Sequence, residues 1–415
     1  MKFPLSRNAR LGLAITLLLG APSSQAAGFN VPEISVAGTA LSNALAANPE
    51  IHGAVAYNPA LAAFHKGTVI TAGVNVVHAE STVSPTLGTP ADFQGQDNVF
   101  IPNLHLTHQW NQDVFLGFSS SLPFGLSTNY PLGTFGTLAA FNPGAPLSAG
   151  ALQPTKSKVE IVDMAPSVTF KLGQDTAIGV GVDYYWARKV VFDSQDVQNS
   201  GDGDGWGLNV SLAHVAGPWS VGASYRSRAV VDIQGTTVFG LLGATPAKAK
   251  LVVPWRAQIG IRYKASPALA IEADVSRTGW NSFDTLTISN AISPVVSTNQ
   301  WDDSNAYRLS ATYQLNNAAE LRFGYTFDEK ASGDAHFSAR TADSDRHLFS
   351  LGFGLDLGNG LEVEGSYMLV RFTDRNFATT TPFGTYGSDA NGTSAYNGNY
   401  ETTVHIVGLG LSKRF

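Results

Sequence analysis

Few residues in this chain have the types and spacing that metal binding or catalysis requires. His105 and His108 could offer imidazole ligands, but residues three apart on a strand face opposite sides and cannot share an ion without a bulge. Residues 202–205 (Asp-Gly-Asp-Gly) match part of a calcium loop without its remaining ligands. We find no serine and histidine whose placement requires hydrolytic chemistry. We therefore expect no metal, no cofactor and no enzymatic activity.

Charged residues instead alternate with apolar residues over long stretches. In residues 269–276, Leu269, Ile271, Ala273 and Val275 interleave with polar side chains. The same period of two recurs at 219–228, 255–264, 321–328 and 361–369. Successive side chains of a strand point to opposite faces, so each segment has one apolar face and one charged face. The pattern predicts an all-β fold, a transmembrane antiparallel β-barrel whose apolar face meets lipid.

The N-terminus and the composition narrow the class further. Residues 1–26 have the basic head, apolar stretch and small-residue cleavage site of a secretory signal peptide, so we expect the mature chain to begin at Ala27. Loss of the three basic residues of this leader changes the formal net charge from −6 to about −9, which argues against nucleic acid as a partner. The chain has no cysteine, which excludes disulfides and cysteine-ligated metals.

Connections between the predicted strands alternate between short and long. The short ones are rich in residues that suit tight turns, and they lie at 111–113, 173–175, 217–218, 266–267, 316–317 and 358–360. The long ones lie near 81–98, 124–155, 193–204, 235–250, 290–300, 329–344 and 373–399. These turns and loops join fourteen strands, with short periplasmic turns and long external loops, as in barrels of the bacterial outer membrane.

Residues 27–66 precede the first strand and do not alternate. Small residues dominate this segment, and its near lack of charge disfavours a solvated tail. We therefore predict that residues 27–66 form a plug, or hatch, in the lumen of a barrel built from residues 67–415. A barrel of fourteen strands is wide enough to leak without such a plug.

A series of short motifs follows the same order as in a known family. They are Ala27-Gly28-Phe29, Asn58-Pro59-Ala60, Ile101-Pro102-Asn103, Phe124-Gly125-Leu126, Thr128-Asn129-Tyr130, Tyr225-Arg226-Ser227, Thr278-Gly279-Trp280, Ala306-Tyr307-Arg308-Leu309 and Asp343-Ser344-Asp345-Arg346. Together they resemble the outer-membrane transporters of long-chain fatty acids and other hydrophobic compounds (FadL/TodX-like). The resemblance covers essentially the whole mature chain.

The resemblance implies a transport path with three stations. A hydrophobic molecule would bind in an apolar groove among external loops, move to a pocket beside the N-terminus of the plug, and leave sideways at an inward kink of the third strand. Pro123 and Gly125 lie late in that strand, where proline removes a hydrogen-bond donor and glycine marks a bend. Gly125 aligns with the kink glycine of the family. The alternative is a strand that simply ends in a turn.

Candidate ligand contacts fall in two places. The loop 124–155 holds an apolar set that could form a binding surface or merely pack the loop against its neighbours: Phe124, Leu126, Tyr130, Leu132, Phe135, Leu138 and Phe141. The resemblance implies that Phe29 and Val31 form an apolar tip at the pocket. It also implies that Asn58 and Pro59, with Ala60, hold the plug against the wall, where a local turn is the alternative.

Arg188 and Lys189 are the basic pair that the resemblance favours for a carboxylate head group. The preceding Trp186-Ala187 is similar to the pocket strand of the family. The carboxylate-binding arginine of the family aligns with Asp193, and this departure leaves room for neutral alkane-like or aromatic ligands. We expect the remaining strand charges to pair with each other inside the barrel.

We therefore predict passive uptake of hydrophobic small molecules, long-chain fatty acids first, across the bacterial outer membrane. The alternatives are a transporter of neutral hydrocarbons or aromatics and a general diffusion porin, which would leave residues 27–66 without a role. A lipase or an adhesin fits the sequence less well. The expected partners are the ligand, outer-membrane lipid and lipopolysaccharide, with no nucleic acid, and we expect a monomer.

Overall fold

The computed structural model describes residues 28–95, 98–139, 152–383 and 389–415, so the predicted signal peptide lies outside the described residues. The strands in these ranges are β1 (Thr68–Pro85), β2 (Ala91–Asp92), β3 (Val99–Gln109), β4 (Val114–Asn129), β5 (Pro154–Leu172), β6 (Thr176–Ser194), β7 (Val197–Ala216), β8 (Trp219–Arg226), β9 (Ala229–Phe239), β10 (Gly243–Val253), β11 (Arg256–Lys264), β12 (Leu269–Thr278), β13 (Thr285–Asn290), β14 (Val295–Thr298), β15 (Ser304–Gln314), β16 (Ala319–Asp328), β17 (Arg346–Asp356), β18 (Leu361–Phe372), β19 (Arg375–Phe377) and β20 (Gly398–Arg414).

Helices are short and few in the same ranges. Two are α-helices, α1 (Val36–Ala40) and α2 (Gly136–Ala139). The others are single 3₁₀ turns: His52–Ala56, Pro59–Phe64, Gly240–Leu242, Trp280–Ser282, Asp334–His336 and Ser394–Tyr396. Within the described part of the chain, no helix has the length and apolar character needed to cross a bilayer.

The strands close into one antiparallel ring. β1 pairs with β3 on one side and with β20 on the other, so the first and last strands complete the barrel. Five barrel strands consist of two segments each, namely β8 with β9, β10 with β11, β12 with β13, β14 with β15, and β18 with β19. With β2 confined to a loop, the ring has fourteen strands, as predicted from the sequence.

The alternating polar and apolar residues of the strands form the inner and outer faces of the barrel. On β12, Glu272 and Asp274 are buried, whereas Ile271 and Val275, which flank them in the sequence, are exposed. In a water-soluble sheet the exposed face would carry the charges instead. Here the apolar face points away from the protein, as a barrel in a hydrocarbon layer requires.

The charged interior is neutralised by pairing. Arg322 is fully buried and makes ion pairs with Glu320, Glu362 and Glu364 at 2.7, 3.1 and 2.6 Å. A buried charge left without a partner costs several kcal/mol, on the order of 3–5 when one member of a pair is removed. Two of these ion pairs join β16 to β18 across β17, which lies between them.

Residues 28–66, which we call the N-terminal segment, contact strands around the ring: Val36–Ala40 packs against β1, β16, β17, β18 and β20, and Pro59–Phe64 packs against β3 to β7. Asp274 of β12 accepts hydrogen bonds from the backbone N–H groups of Leu45 and Ala46 at 3.0 and 2.9 Å. Glu272 accepts from the N–H of Ala47 at 2.7 Å. Residues 45–47 belong to no helix or strand, so their N–H groups have no regular backbone acceptor. The carboxylates of Asp274 and Glu272 accept the hydrogen bonds that water would otherwise accept.

The motif Asn58-Pro59-Ala60 fixes the other end of the N-terminal segment. The Asn58 side chain accepts from the N–H of Ala60 and donates to the carbonyl oxygens of Ala46 and Leu212, at 2.7 and 2.9 Å. Pro59 occupies the first position of a 3₁₀ helix, where its missing N–H is not needed. The motif therefore joins the segment to itself and to β7.

Two predicted external loops are strands instead. β6 continues to Ser194 and β7 begins at Val197, while only Gly240–Leu242 separates β9 from β10. The Asp-Gly repeat at 202–205 suggested a loop, but it alternates along β7 with its aspartates exposed. At Gly203 a Cβ atom would lie 2.0 Å from the carbonyl oxygen of Asp232 on β9, so the glycines allow two backbones to approach closely.

Replacing Asp274 with alanine is expected to loosen the N-terminal segment. The change leaves two buried N–H groups and the Gln258 amide without their acceptor, and we expect a loss of about 3 kcal/mol in the free energy of unfolding. Guanidinium-induced unfolding in lipid vesicles measures it. Asp232→Ala is the control, because that carboxylate is exposed and pairs with an exposed Lys250. Equal stability of both variants would contradict the anchoring role.

Candidate ligand-binding cavities

Two largely apolar cavities lie within the barrel. Cavity A has an empty volume of about 860 Å³ and lies among β5, β6, β7, β9, β10, β13 and the external loop 329–345. Cavity B measures about 1320 Å³ and lies among β1, β3, β4, β18, β20 and the N-terminal segment. Leu126, Val159 and Thr341 line both cavities, so only a thin wall of side chains separates them.

Arg340 is the charged side chain of cavity A that is also buried. Its Nη1 donates to Ser157 Oγ and the Asp193 carbonyl oxygen at 3.0 and 2.8 Å, and its Nη2 donates to Ser194 Oγ at 2.6 Å. The guanidinium carbon lies 3.8 Å from the ring centre of Phe192. Burial lowers the pKa of Arg340 to about 10, so the group keeps its charge at neutral pH.

The Arg340 guanidinium makes no close ion pair, although the carboxylates of Asp193 and Asp389 act on it at longer range. Among the described residues, no Asp or Glu lies within ion-pair distance of it. Its Nε–H and one N–H of Nη2 have no protein acceptor in the same part of the chain. Nε and Nη2 lie along one edge of the planar guanidinium, and a carboxylate can bind such an edge with two parallel hydrogen bonds.

Phe29 of the N-terminal segment stands between the two cavities. Its ring centre lies 5.9 Å from that of Phe124, 4.8 Å from Trp280, 5.3 Å from Phe283 and 6.0 Å from Trp301. Phe29 lines cavity A, while Gly28, Asn30 and Val31 line cavity B. Edge-to-face ring contacts of this type each add about 0.5–1.5 kcal/mol to the burial of the rings.

The third barrel strand, β4, is irregular where the N-terminal segment meets it. β3 pairs with β4 only up to Ser120, and the register between β4 and β5 shifts between Ser121 and Phe124. Beyond this point the N-terminal segment takes the place of β3. Its Val31 N–H donates to the Pro123 carbonyl oxygen at 2.8 Å, and its Phe29 carbonyl oxygen accepts from the Gly125 N–H at 3.0 Å.

The apolar residues of the predicted loop 124–155 do not lie together in the structure. Phe124 and Leu126 lie on β4, with Phe124 buried in the Phe29 cluster and Leu126 between the cavities. Tyr130, Phe135 and Leu138 are buried in a second core with residues of the loops 329–345 and 373–397. These three line neither cavity, so the structure favours loop packing for them.

Of the remaining two members of that set, Leu132 is 65% exposed and belongs to no buried cluster. Phe141 lies outside the described residues. The structure therefore does not bring the described members of the set together into one exposed groove.

Arg188 and Lys189 do not reach either cavity. Both side chains are exposed, because β6 shifts register between Ala187 and Val190 and turns two successive residues outward. Arg188 Nε lies 2.8 Å from Glu160 Oε2, and Glu160 also pairs with Lys158 at 2.8 Å. Glu160 and Lys158 line cavity B, so the charges on that side are already paired.

Sequence reasoning missed Arg340, the buried cation of cavity A. It lies in a predicted external loop, and its partners Ser157 and Ser194 are more than 140 residues away. The available signal was weak: a single arginine between Ala339 and Thr341, in a loop of mostly small residues.

Fold and site together define a class: a closed β-barrel with a lipid-facing outer surface, an internal segment and apolar cavities along its bore. The sequence pattern of one family, described as "Outer membrane protein transport protein (OMPP1/FadL/TodX)", matches residues 17–415. The chain belongs to this family. It is therefore a multi-pass protein of the bacterial outer membrane that transports hydrophobic compounds, and not an enzyme.

Individual relatives are distant but match over their full length. Outer membrane protein P1 of Haemophilus influenzae is 24% identical over 459 residues, covering 97% of this chain and 98% of the relative. The long-chain fatty acid transport protein of Escherichia coli O6:H1 (strain CFT073) is 22% identical over 444 residues. That alignment covers 90% of this chain and 95% of the relative.

Solved structures share the fold at still lower identity. A Pseudomonas aeruginosa FadL homologue superimposes with a TM-score of 0.78 at 15% identity, over 94% of this chain and all of the other. The Ralstonia pickettii toluene transporter TbuX gives 0.69 at 14% identity, over 93% of this chain and 100% of the other. At this identity the likeness concerns the fold alone.

Proposed function

We propose that this transporter takes up long-chain fatty acids, whose carboxylate binds Arg340 in cavity A. The observation that carries the proposal is a buried guanidinium with unbonded N–H groups and no carboxylate within ion-pair distance among the described residues. A ligand carboxylate would supply the missing charge, and the apolar lining of cavity A would cover the chain. A fatty acid transport protein among the distant relatives agrees with this assignment.

The path continues from cavity A to cavity B past Phe29. Both cavities are largely apolar and share a wall of side chains, so an alkyl chain can move from one to the other without returning to water. The side chains of Phe29, Val31 and Leu126 must move aside to let the ligand pass between the cavities. Displacing the Phe29 ring removes edge-to-face contacts that an entering apolar ligand can replace.

The ligand leaves cavity B sideways, beside β4. Above Ser120, β4 has no hydrogen-bonded partner in β3, and it is the N-terminal segment that bonds to Pro123 and Gly125. Withdrawal of that segment would leave an unpaired edge facing the membrane, through which an apolar molecule can reach lipid directly. The proposal needs no water-filled channel and no energy source.

The N-terminal segment acts as the plug of the pore. Its bonds to Glu272, Asp274 and the strand β7 hold residues 27–66 as a domain inside the barrel 67–415. Asn58, Pro59 and Ala60 fix its lower part, which can stay in place while the tip at Phe29 moves. A closed barrel needs no second subunit to satisfy its edges, so we also propose a monomer surrounded by outer-membrane lipid and lipopolysaccharide.

Neutral aromatic compounds are the second candidate substrates. The ring cluster around Phe29 suits a small aromatic molecule, and toluene transporters share the fold. Arg340 distinguishes the two candidates, because a neutral hydrocarbon gains nothing from a free guanidinium edge.

Replacing Arg340 with methionine tests the substrate class. We expect oleate uptake to fall by at least about tenfold, since a charge-assisted hydrogen bond contributes on the order of 1.5–3 kcal/mol. Uptake of toluene should change little. Arg375→Met is the matched control, because Arg375 is equally buried, bonds loop groups and stacks on Phe337, yet lines neither cavity. Equal oleate uptake by Arg340→Met and the native protein would refute carboxylate binding.

Replacing Gly125 with isoleucine tests the side exit. A Cβ atom there meets Val31 Cγ2 at 3.5 Å, an ordinary contact, so the barrel should fold normally. The longer branches would fill the space beside the third strand and slow uptake severalfold. Uptake rates in whole cells, normalised to folded protein on heat-modifiability gels, measure the effect. Native uptake rates would remove the argument for this exit.

Deleting residues 28–66 tests the plug. The shortened barrel should show large, steady single-channel conductance in planar bilayers, while the intact protein should conduct little. Asn58→Ala, which breaks three hydrogen bonds without removing the segment, serves as a graded comparison and should give brief openings. Large conductance from the intact protein would instead indicate a general diffusion porin.

A further inference from the structure

The hairpin β13–β14 covers cavity A but is weakly joined to the barrel. Leu286 and Ile288 of β13 and Ser297 of β14 line the cavity. The hairpin pairs with the barrel wall only along Ala247–Ala249 of β10, whereas β11 and β12 beneath it pair along the whole of Arg256–Lys264. A two-stranded hairpin alone is at best marginally stable, so its position depends on this short seam, on the contacts at its base and on the packing of Ile288 and Val295 against β7, β9 and β10.

The base of the hairpin consists of two adjacent non-strand segments, 279–284 and 299–303, which we call the hinges. The N–H groups of Asn299 and Gln300 donate to the Asp284 carbonyl oxygen at 2.7 and 2.9 Å, so the hinges lie side by side. Gln300 has a φ of 43°, a left-handed conformation that few non-glycine residues adopt. On one hinge, a Cβ atom at Gly279 would lie 1.9 Å from Trp255 Nε1, so only glycine fits there.

Each hinge carries one tryptophan that packs on Phe29. Trp280 and Trp301 are 0% and 2% exposed, and their ring centres are 5.1 Å apart. Neither indole Nε1–H has an acceptor within the described parts of the chain. The two hinges are thus held against the N-terminal segment by ring packing alone, which lets the rings slide without breaking a directional bond.

We propose that the hairpin β13–β14 is the gate that admits ligand to cavity A, and that Phe29 controls it through Trp280 and Trp301. The inference rests on the proposed function and adds the site of admission and its control. With Phe29 packed against both indoles, the hinges are supported and the gate is closed. Displacement of Phe29 removes that support, so opening the gate and moving the plug tip are two parts of one motion.

The gate also has a latch on the last external loop. Asn391 Nδ2 donates to Ser297 Oγ and to the Thr298 carbonyl oxygen, at 3.1 and 2.9 Å. Asp389 accepts from the Thr298 N–H. Because Ser297 and Thr298 end β14 next to the hinge 299–303, the gate is held near its base by these polar bonds as well as by apolar packing.

A disulfide across the short seam between β10 and β13 tests the gate. Lys248 and Ser289 are directly opposed and exposed, at the spacing that a disulfide requires, and the native chain has no cysteine to interfere. In the double variant K248C/S289C, oxidation should reduce oleate uptake by at least about tenfold, and a phosphine reductant should restore it. The control T287C/V296C links the two strands of the hairpin to each other and should transport equally in both states. Equal oleate uptake by the oxidised and reduced forms of K248C/S289C would overturn the proposed gate.

Hydrogen–deuterium exchange tests the control by Phe29 without any substrate. Phe29→Ala should raise the exchange rates of residues 285–298 severalfold and leave those of β16 and β17 unchanged. Val31→Ala is the matched control, because Val31 belongs to the same tip but lines cavity B. Unchanged exchange in Phe29→Ala would overturn the coupling. If the native protein takes up no oleate, the proposed substrate is refuted, and the exchange rates still decide the coupling.

Discussion

A bilayer core contains no water, and every backbone N–H and C=O group in it must find a partner within the protein. This constraint explains the closed ring, in which β1 bonds to both β3 and β20. It also explains how the pairing of β3 with β4 can be interrupted. Where β4 separates from β3, the backbone of Phe29 and Val31 bonds to β4 instead. The N-terminal segment thus completes the wall as well as occupying the bore.

The same constraint makes the interior polar. Carboxylates such as Asp274 and Glu272 cannot face lipid, and inside the barrel they accept hydrogen bonds from the irregular backbone of residues 45–47. Arginines such as Arg322 neutralise their acidic neighbours on adjacent strands. Arg340 differs from Arg322 in having no carboxylate within ion-pair distance among the described residues, while Asp193 and Asp389 act on it at longer range. Under the proposed function, the carboxylate of the ligand takes the place of such a partner.

The parts of the structure that local patterns determine could be predicted from the sequence. The alternation around Glu272 and Asp274 predicts both strands and their polarity, and Pro123 with Gly125 indicates where β4 becomes irregular. The site itself could be predicted only in part. Phe29 and Leu126 do line the cavities, and these positions came from the resemblance and from an apolar loop pattern.

The misplaced residues depend on distant contacts or on local shifts. Tyr130 is buried because its hydroxyl donates to the Ala339 carbonyl oxygen, 209 residues away, and no local pattern contains such a contact. Arg188 and Lys189 face outward because a register shift interrupts the alternation between Ala187 and Val190. One extra residue in a strand reverses every inside and outside assignment until the register is restored.

The enclosure of the N-terminal segment has a consequence for biogenesis. Strands on all sides contact this segment, from β1 and β3 to β18 and β20, and its helices are wider than an extended chain. It could not be threaded into a finished cylinder. The seam between β1 and β20 runs from Val69 opposite Arg414 to Pro85 opposite Gly398. We infer that the hydrogen bonds of this seam form last, when the N-terminal segment is already in position. When the segment is present, closure of this seam encloses it.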